Sequence, residues 1–353
     1  MKIIKQGIVL RMNESFFAYQ AWPSACVDEN GAVYVVCSGF RAGHLCPFGK
    51  TVLLKSRDGG ETWSLPVIVN DHFLDDRDPG ILYLGDGKML VTRASHPAKN
   101  YENDYLDWIH SDSGDAGAAL VKEYASLPEK EREGGCFYRF LYEYGEKAGE
   151  EKRIPVHTPH GPVLLADGTV FYHGKELYGD DVFSVYTSAD GGENFEKTGD
   201  CPIPEGYTKD QFHEVHCVEL PGGRIMALFR THLEENDDTF TMFRTFSSDR
   251  GKSWSEWEPT GICGSPPHLC DADGRIVLTY GRRVPEYGIY GREVFPDGEI
   301  SEEEFKLFDG VNDDLGYPAT VMLPDRTLLT VYYALYGGDK KTSVLYTRWS
   351  LEE

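Results

Sequence analysis

Positive charge is scarce in this chain: 35 Lys and Arg stand against 58 Asp and Glu, a formal charge of −23 with His neutral. That balance opposes the counterion release behind nucleic-acid affinity and repels an anionic membrane surface, so neither is expected as a partner. Long apolar runs are missing too. None exceeds about eight residues, against the roughly 20 that span a bilayer, and the opening MKIIKQGIVLRMNE reads as a strand, not an export signal. The eight cysteines (Cys26, Cys37, Cys46, Cys136, Cys201, Cys217, Cys263, Cys270) include no CxxC pair. Several lie inside apolar runs and read as buried reduced thiols, which points to the cytoplasm. No P-loop, no G-x-G-x-x-G behind a strand and no G-x-S-x-G is present, so nucleotide binding and serine-hydrolase chemistry have no motif to rest on.

What the chain does have is 38 glycines, 13% aromatic residues and repetition within its 353 residues. At 41% hydrophobic it can bury a sizeable core. Ser56-Arg57-Asp58-Gly59-Gly60-Glu61-Thr62-Trp63, Ser188-Ala189-Asp190-Gly191-Gly192-Glu193-Asn194-Phe195 and Ser247-Ser248-Asp249-Arg250-Gly251-Lys252-Ser253-Trp254 share the pattern S-x-D-x-G-x-polar-aromatic. Each is a hairpin turn in which Asp bonds backbone amides, Gly accepts positive φ and the aromatic anchors the turn to its sheet. A second pattern, strand, tight turn, strand, recurs six times, starting at Pro23, Pro79, Pro162, Val215, Pro267 and Pro318. The starts are 56, 83, 53, 52 and 51 residues apart. Such a period suits four-stranded propeller blades. The long second interval places an insertion at about residues 96–155, with Ala116 to Glu133 helical and ending at Gly134-Gly135. No linker composition divides the chain, so one domain over 1–353 is expected.

In a propeller the innermost strands start around one end of the central channel, so the residues preceding each repeat should line a pocket. They read Tyr19-Gln20-Ala21-Trp22, Asp76-Arg77-Asp78, His157-Thr158-Pro159-His160, His213-Glu214-Val215-His216, Ser265-Pro266-Pro267-His268 and Leu315-Gly316-Tyr317. The second strands end on Arg41, Arg93, His173, Arg230, Arg282 and Arg283, and seven of the eleven histidines fall at or near these positions. Glu214 and His216 would share one strand face, with His160, His268 or His173 available to complete a metal site. No motif has metal-ligand spacing, however, and neutral imidazoles binding hydroxyls are the simpler expectation. No metal or cofactor is expected.

The three S-x-D-x-G boxes and six repeats, over about residues 15 to 350, resemble the sialidase-like (Asp-box, BNR-repeat) six-bladed β-propellers. The resemblance implies an all-β ring, partly helical in its second-blade insertion, in which the N-terminal segment completes the last blade beside Tyr332 to Trp349. Gly316-Tyr317-Pro318 is similar to the segment where such enzymes carry a Tyr nucleophile, and Glu214 to the carboxylate that activates it. The pairing is chemically apt, because a phenol of ordinary pKa near 10 needs a base to accept its proton during attack. Arg230 matches an arginine that such enzymes direct onto a substrate carboxylate, with Arg77 and Arg283 as further anion holders. The chain departs from the family pattern where Gln20-Ala21-Trp22-Pro23 replaces an R-I-P-like element, where His268 stands in place of another Arg, and where GFRAGHLCPFGK offers His44 and no acid. Gln20 and Trp22 then suit a sugar face, and Asp78 or His44 the general acid. His160, His213, His216 and His268 complete the expected substrate-binding set. The expected activity is exo-acting glycoside hydrolysis of an acidic sugar on an oligosaccharide or glycoconjugate. A polysaccharide lyase using His160 or His213 as base with Tyr317 as donor, and a non-catalytic carbohydrate-binding propeller, are the alternatives.

Overall fold

A computed structural model describes residues 1–180, 182–233 and 240–352. The first strand, β1 (Lys2–Leu10), is set aside until the chain returns. Blade 1 comprises β2 (Tyr19–Val27), β3 (Val33–Arg41), β4 (Lys50–Ser56) and β5 (Val67–Asn70), and blade 2 comprises β6 (Arg77–Gly85), β7 (Lys88–Ser95), β8 (Gly135–Tyr142) and β9 (Lys147–Arg153). Blade 3 holds β10 (Val163–Leu164), β11 (Val170–Lys175), β12 (Phe183–Ser188) and β13 (Glu196–Cys201). Blade 4 holds β14 (Phe212–Glu219), β15 (Ile225–Thr231), β16 (Thr241–Ser247) and β17 (Glu258–Cys263). Blade 5 follows with β18 (His268–Ala272), β19 (Arg275–Arg282), β20 (Gly288–Val294) and β21 (Phe305–Asp309). Blade 6 is β22 (Gly316–Met322), β23 (Leu328–Leu335) and β24 (Thr342–Ser350), with β1 as its outermost strand, paired from Lys2↔Ser350 to Leu10↔Val344. The ring is the expected six-bladed propeller, closed by the N-terminal strand.

Stacking one blade against two others dictates the strand composition. Middle strands are covered on both faces, so β3 reads VYVVCSGFR and is buried almost throughout, while the outer strand β9, KAGEEKR, is largely exposed. The core lies between blades. Val33, Val35, Val52 and Leu54 of blade 1 pack with Val321, Leu329, Val331 and Tyr346 of blade 6.

The three boxes connect third to fourth strands in blades 1, 3 and 4 and repeat one geometry. Ser56 Oγ accepts from the Gly60 amide at 2.9 Å and Asp58 Oδ1 from the Thr62 amide at 2.9 Å. The equivalent bonds are 2.8 and 3.0 Å in the second box and 2.8 and 2.9 Å in the third. The aromatics reach further than their own sheet. Trp63 lies 6.2 Å from Tyr346 of blade 6, Phe195 lies 5.3 Å from Tyr138 of blade 2 and Trp254 stacks at 4.7 Å on His173 of blade 3. Each box ties its blade to the one before.

The insertion is shorter than 96–155 and becomes helical earlier than Ala116. It holds α1 (Ala98–Asn103), α2 (Leu106–Glu123) and α3 (Glu129–Arg132), and from Gly135 the chain is back in blade 2. Composition hid the first helices, since tertiary packing stabilises them: Ala98, Tyr101, Ile109, Val121 and Tyr124 bury against Leu45 and Leu74. Among the described residues no helix is long and apolar enough to cross a membrane. Six of the eight cysteines are buried.

Blades 2 and 3 meet backbone to backbone where Gly80 bridges His160, and a Cβ on Gly80 would sit 2.2 Å from the Gly161 nitrogen. Gly80→Ala is expected to cost about 1–3 kcal/mol, read as a lowered urea midpoint with an unchanged m-value.

Candidate active site

Bulges at the starts of the innermost strands aim the site. Pairing skips two residues in four blades: Trp22-Pro23, Asp78-Pro79, His213-Glu214 and Tyr317-Pro318. Proline has no N–H for the ladder, so three of these strands open on a proline-led bulge. The residue before each proline takes positive φ: Trp22 at 52°, Asp78 at 49° and Tyr317 at 50°. For non-glycine residues that conformation costs on the order of 1–2 kcal/mol each. The cost turns an indole, a carboxylate and a phenol out of the sheets toward one end of the channel.

There the Tyr317 hydroxyl donates to Glu214 Oε1 at 2.6 Å. Arg230, beside Phe229 that pairs with Val215, donates from Nη1 to both Glu214 oxygens at 2.9 and 3.1 Å and to the Tyr317 oxygen at 3.2 Å. Arg283 spans from the Leu315 carbonyl (2.9 Å) to the Tyr333 hydroxyl (3.0 Å), its guanidinium 5.6 Å from the Tyr317 ring centre. Burial opposes ionisation of Glu214, but Arg230, His213 and the Tyr317 hydroxyl outweigh it and hold the carboxyl down to about 2. Burial and the Glu214 charge lift the Tyr317 phenol well above its ordinary value. The resting proton therefore sits on Tyr317, hydrogen-bonded to an ionised base.

Asp78 faces the same space. Its backbone amide donates to Ser38 Oγ at 3.1 Å, its carboxylate lies 3.6 Å from Arg77 Nε, and burial raises its pKa even against Arg77. The Asp78 and Glu214 side chains keep 22% and 19% of their surface exposed. Arg77 donates to the His44 carbonyl at 3.0 Å and to Asp75 at 3.3 Å. Asp75 also forms a fully buried pair with Arg41, which reaches the Gly43 and His44 carbonyls as well.

Four expected roles change on contact with the geometry. Trp22 is only 2% exposed, with the guanidiniums of Arg77 and Arg41 at 4.3 and 4.7 Å from its ring, so it is a floor beneath arginines and not an open sugar platform. Gln20 is wholly buried, its Nε2 donating to the Phe17 carbonyl and its Oε1 accepting from the Phe40 amide, so it presents no surface to a substrate. His44 is pushed down to about 2 by burial and by Arg77, Arg41, Arg283 and Arg230, so it holds no acid proton to give. His216 and His268 accept the Leu269 and Thr320 amides of the next blades through Nδ1 at 3.0 and 3.3 Å and stack at 4.4 Å. They knit blades together in the channel instead of reaching the pocket. His160 is buried beside them, 4.9 Å from His268 and 6.3 Å from Tyr317 between ring centres. His213 stands half-buried next to Glu214 and is pushed down to about 4, chiefly by burial. Among the described residues no three His, Cys, Asp or Glu side chains converge as a metal site.

Sequence reading missed several neighbours. Asp75 adjoined the singled-out Asp76-Arg77-Asp78 but gave no sign that it, rather than Asp76, would serve Arg41 and Arg77. Asp314 accepts at 2.9 Å from Tyr19, itself expected in the pocket lining and 3.2 Å from His44 Nδ1. Phe240 sits 4.0 Å under the Arg230 guanidinium. Trp108 of α2 stacks on His44 at 5.4 Å and 13°, so the insertion packs over this molecule's own pocket rim. No local pattern marks these residues, because their partners are distant in sequence.

No protein-family model matches the sequence, and no curated protein matches it. Solved structures do. A protein of unknown function from Dyadobacter fermentans aligns with TM-score 0.76 and 20% identity over 99% of this chain and 98% of its own. The NanB sialidase of Streptococcus pneumoniae aligns at 0.69 and 14% identity, over 99% of this chain and 71% of its own. The chain has the six-bladed fold of the sialidase propellers. An α-L-arabinofuranosidase of Fusarium graminearum, solved with an iminosugar inhibitor, shares the propeller at TM-score 0.65 and 12% identity, over 100% of this chain and 99% of its own.

Asp75→Ala would strand the buried Arg41 charge and is expected to cost about 3–5 kcal/mol, whereas replacing both partners with apolar residues should recover most of that loss. Urea unfolding of the single and double variants distinguishes the two outcomes.

Proposed function

We propose that this propeller is an exo-acting glycoside hydrolase with a tyrosine nucleophile. The observation that carries the reading is the Tyr317–Glu214 hydrogen bond of 2.6 Å, with one Arg230 nitrogen touching both groups. Tyr317 attacks the anomeric carbon; as the C–O bond forms, the phenol becomes acidic and Glu214 takes its proton. Asp78, whose carboxyl burial pushes up from its ordinary value, delivers a proton to the leaving oxygen. Water then hydrolyses the glycosyl-tyrosine with Asp78 acting as base. Arg230, Arg283 and Arg77 supply an electropositive surround suited to a sugar bearing a carboxylate. The narrow exposure of Asp78 and Glu214 fits one terminal residue entering, hence exo action. Six buried cysteines, read as reduced thiols, fit a reducing compartment such as the cytoplasm. The lyase route draws less support, since Tyr317 is bonded to Glu214 and burial weakens both candidate bases, His160 and His213.

Chromogenic α-sialosides and α-L-arabinofuranosides assayed with wild type and Tyr317→Phe test the proposal. A loss on the order of 10³-fold in kcat is expected for the variant; undiminished turnover, or an unsaturated product absorbing in the ultraviolet, would refute it.

The pH profile has a stated sign. Asp78 acts while protonated, so kcat/KM falls as pH rises through its elevated pKa, and the opposing limb, set by Glu214 at about 2, lies below the working range. Asp78→Asn should remove the alkaline fall and lower kcat by roughly 10²–10⁴-fold for poor leaving groups.

A further inference from the structure

Helix α1, Tyr105, helix α3 and the loop after β11 line a cavity of about 750 Å³, with His96, Asn100, Tyr105 and Tyr178 on one part of its wall and Lys99, Glu129, Arg132 and Glu133 on the rest. It lies beyond the end of β7, the strand paired with the one that carries the candidate acid. Arg77 pairs with Ala94 across β6 and β7, two residues before His96, and the charges of Arg77 and Asp78 both act on the Tyr178 phenol. In a hydrolase the departing oxygen must lie beside the group that protonates it, so the rest of the substrate leaves the pocket on the Asp78 side. The cavity is on that side.

Its chemistry suits a saccharide. Tyr178 Oη lies 3.1 Å from His96 Nδ1, and the His96 ring meets Tyr105 and Tyr178 edge-on at 5.5 and 6.1 Å. Crossed aromatic planes with neutral donors and acceptors match the apolar faces and hydroxyls of sugar rings. Burial and Arg77 push His96 down to about 3, so at neutral pH it both donates and accepts. Trp108 follows Tyr105 by one helical turn. One indole face rests on His44, yet the residue is 51% exposed. Trp108 stands outside the cavity wall, but its half-exposed indole at the pocket rim, one turn from Tyr105, offers a stacking surface.

We infer that this cavity is the leaving-group subsite, holding the one or two sugar residues beyond the cleaved bond, with Tyr105 and Trp108 as stacking planes. The inference rests on the hydrolase reading above. Its volume lies inside the range of roughly 300–1,000 Å³ usual for small-molecule sites.

The test uses two substrates with the same terminal sugar and different leaving groups: sialyllactose against sialyl fluoride, or arabinobiose against α-L-arabinofuranosyl fluoride, following the sugar that wild type turns over. Fluoride has no body to fill the cavity. In Tyr105→Ala and Trp108→Ala, kcat/KM for the saccharide is expected to fall at least tenfold further than for the fluoride, through KM, with Trp108→Phe restoring most of it. Parallel losses on both substrates, or no loss on either, overturn the inference. Saccharide binding is read apart from turnover by saturation-transfer NMR with lactose or arabinobiose, expected on wild type and Tyr317→Phe and lost in Tyr105→Ala. Binding without turnover sinks the hydrolase reading and leaves the saccharide site standing; no saccharide binding by wild type sinks the site itself.

Discussion

A four-stranded blade with two apolar faces cannot stand in water alone, and the structure depends on this constraint. Each blade buries both faces only by standing between two others, and the series ends without an unprotected face only when the last blade meets the first. Here that closure is covalently economical, because β1 opens the chain and completes the blade that ends it. The boxes reinforce the seams, since their aromatics reach back onto the preceding blade.

Closure also brings six strand starts to one channel mouth, and the bulges decide what they present. Proline at Pro23, Pro79 and Pro318 interrupts the ladder, and the preceding residue swings into positive φ. Backbone strain of this kind persists only where the surrounding packing over-determines it. Trp22, Asp78 and Tyr317 meet because three blades carry the same irregularity at the same height.

Electrostatics inside the mouth run against the charge of the whole. A chain of −23 concentrates Arg41, Arg77, Arg230 and Arg283 around a few carboxylates. Low-dielectric walls focus that local field, so the site is set by its own neighbours more than by the global charge. The consequences diverge residue by residue: Glu214 is held ionised, Asp78 is raised, and His44 is kept neutral. One cluster thereby holds an ionised carboxylate, a carboxyl of raised pKa and a protonated phenol side by side, each set by its neighbours.

The sequence by itself determined the blade count, the box turns and the gathering of Tyr317, Glu214, Asp78 and Arg230 at strand ends, while the resemblance to the sialidase-like propellers implied the closing strand. The former follow from short-range patterns that recur every 51–56 residues outside one insertion, which a linear reading can count. Only the tertiary structure decided that Gln20 is spent on backbone, that Trp22 lies under two guanidiniums, that His216 and His268 bind neighbouring blades, and that Asp75 is the buried partner of two arginines. It also placed Trp108 over the rim from a helix whose composition did not announce it. The reason is physical: burial, partner choice and pKa depend on groups brought within a few ångströms across blades, and no local pattern encodes which distant side chain arrives first.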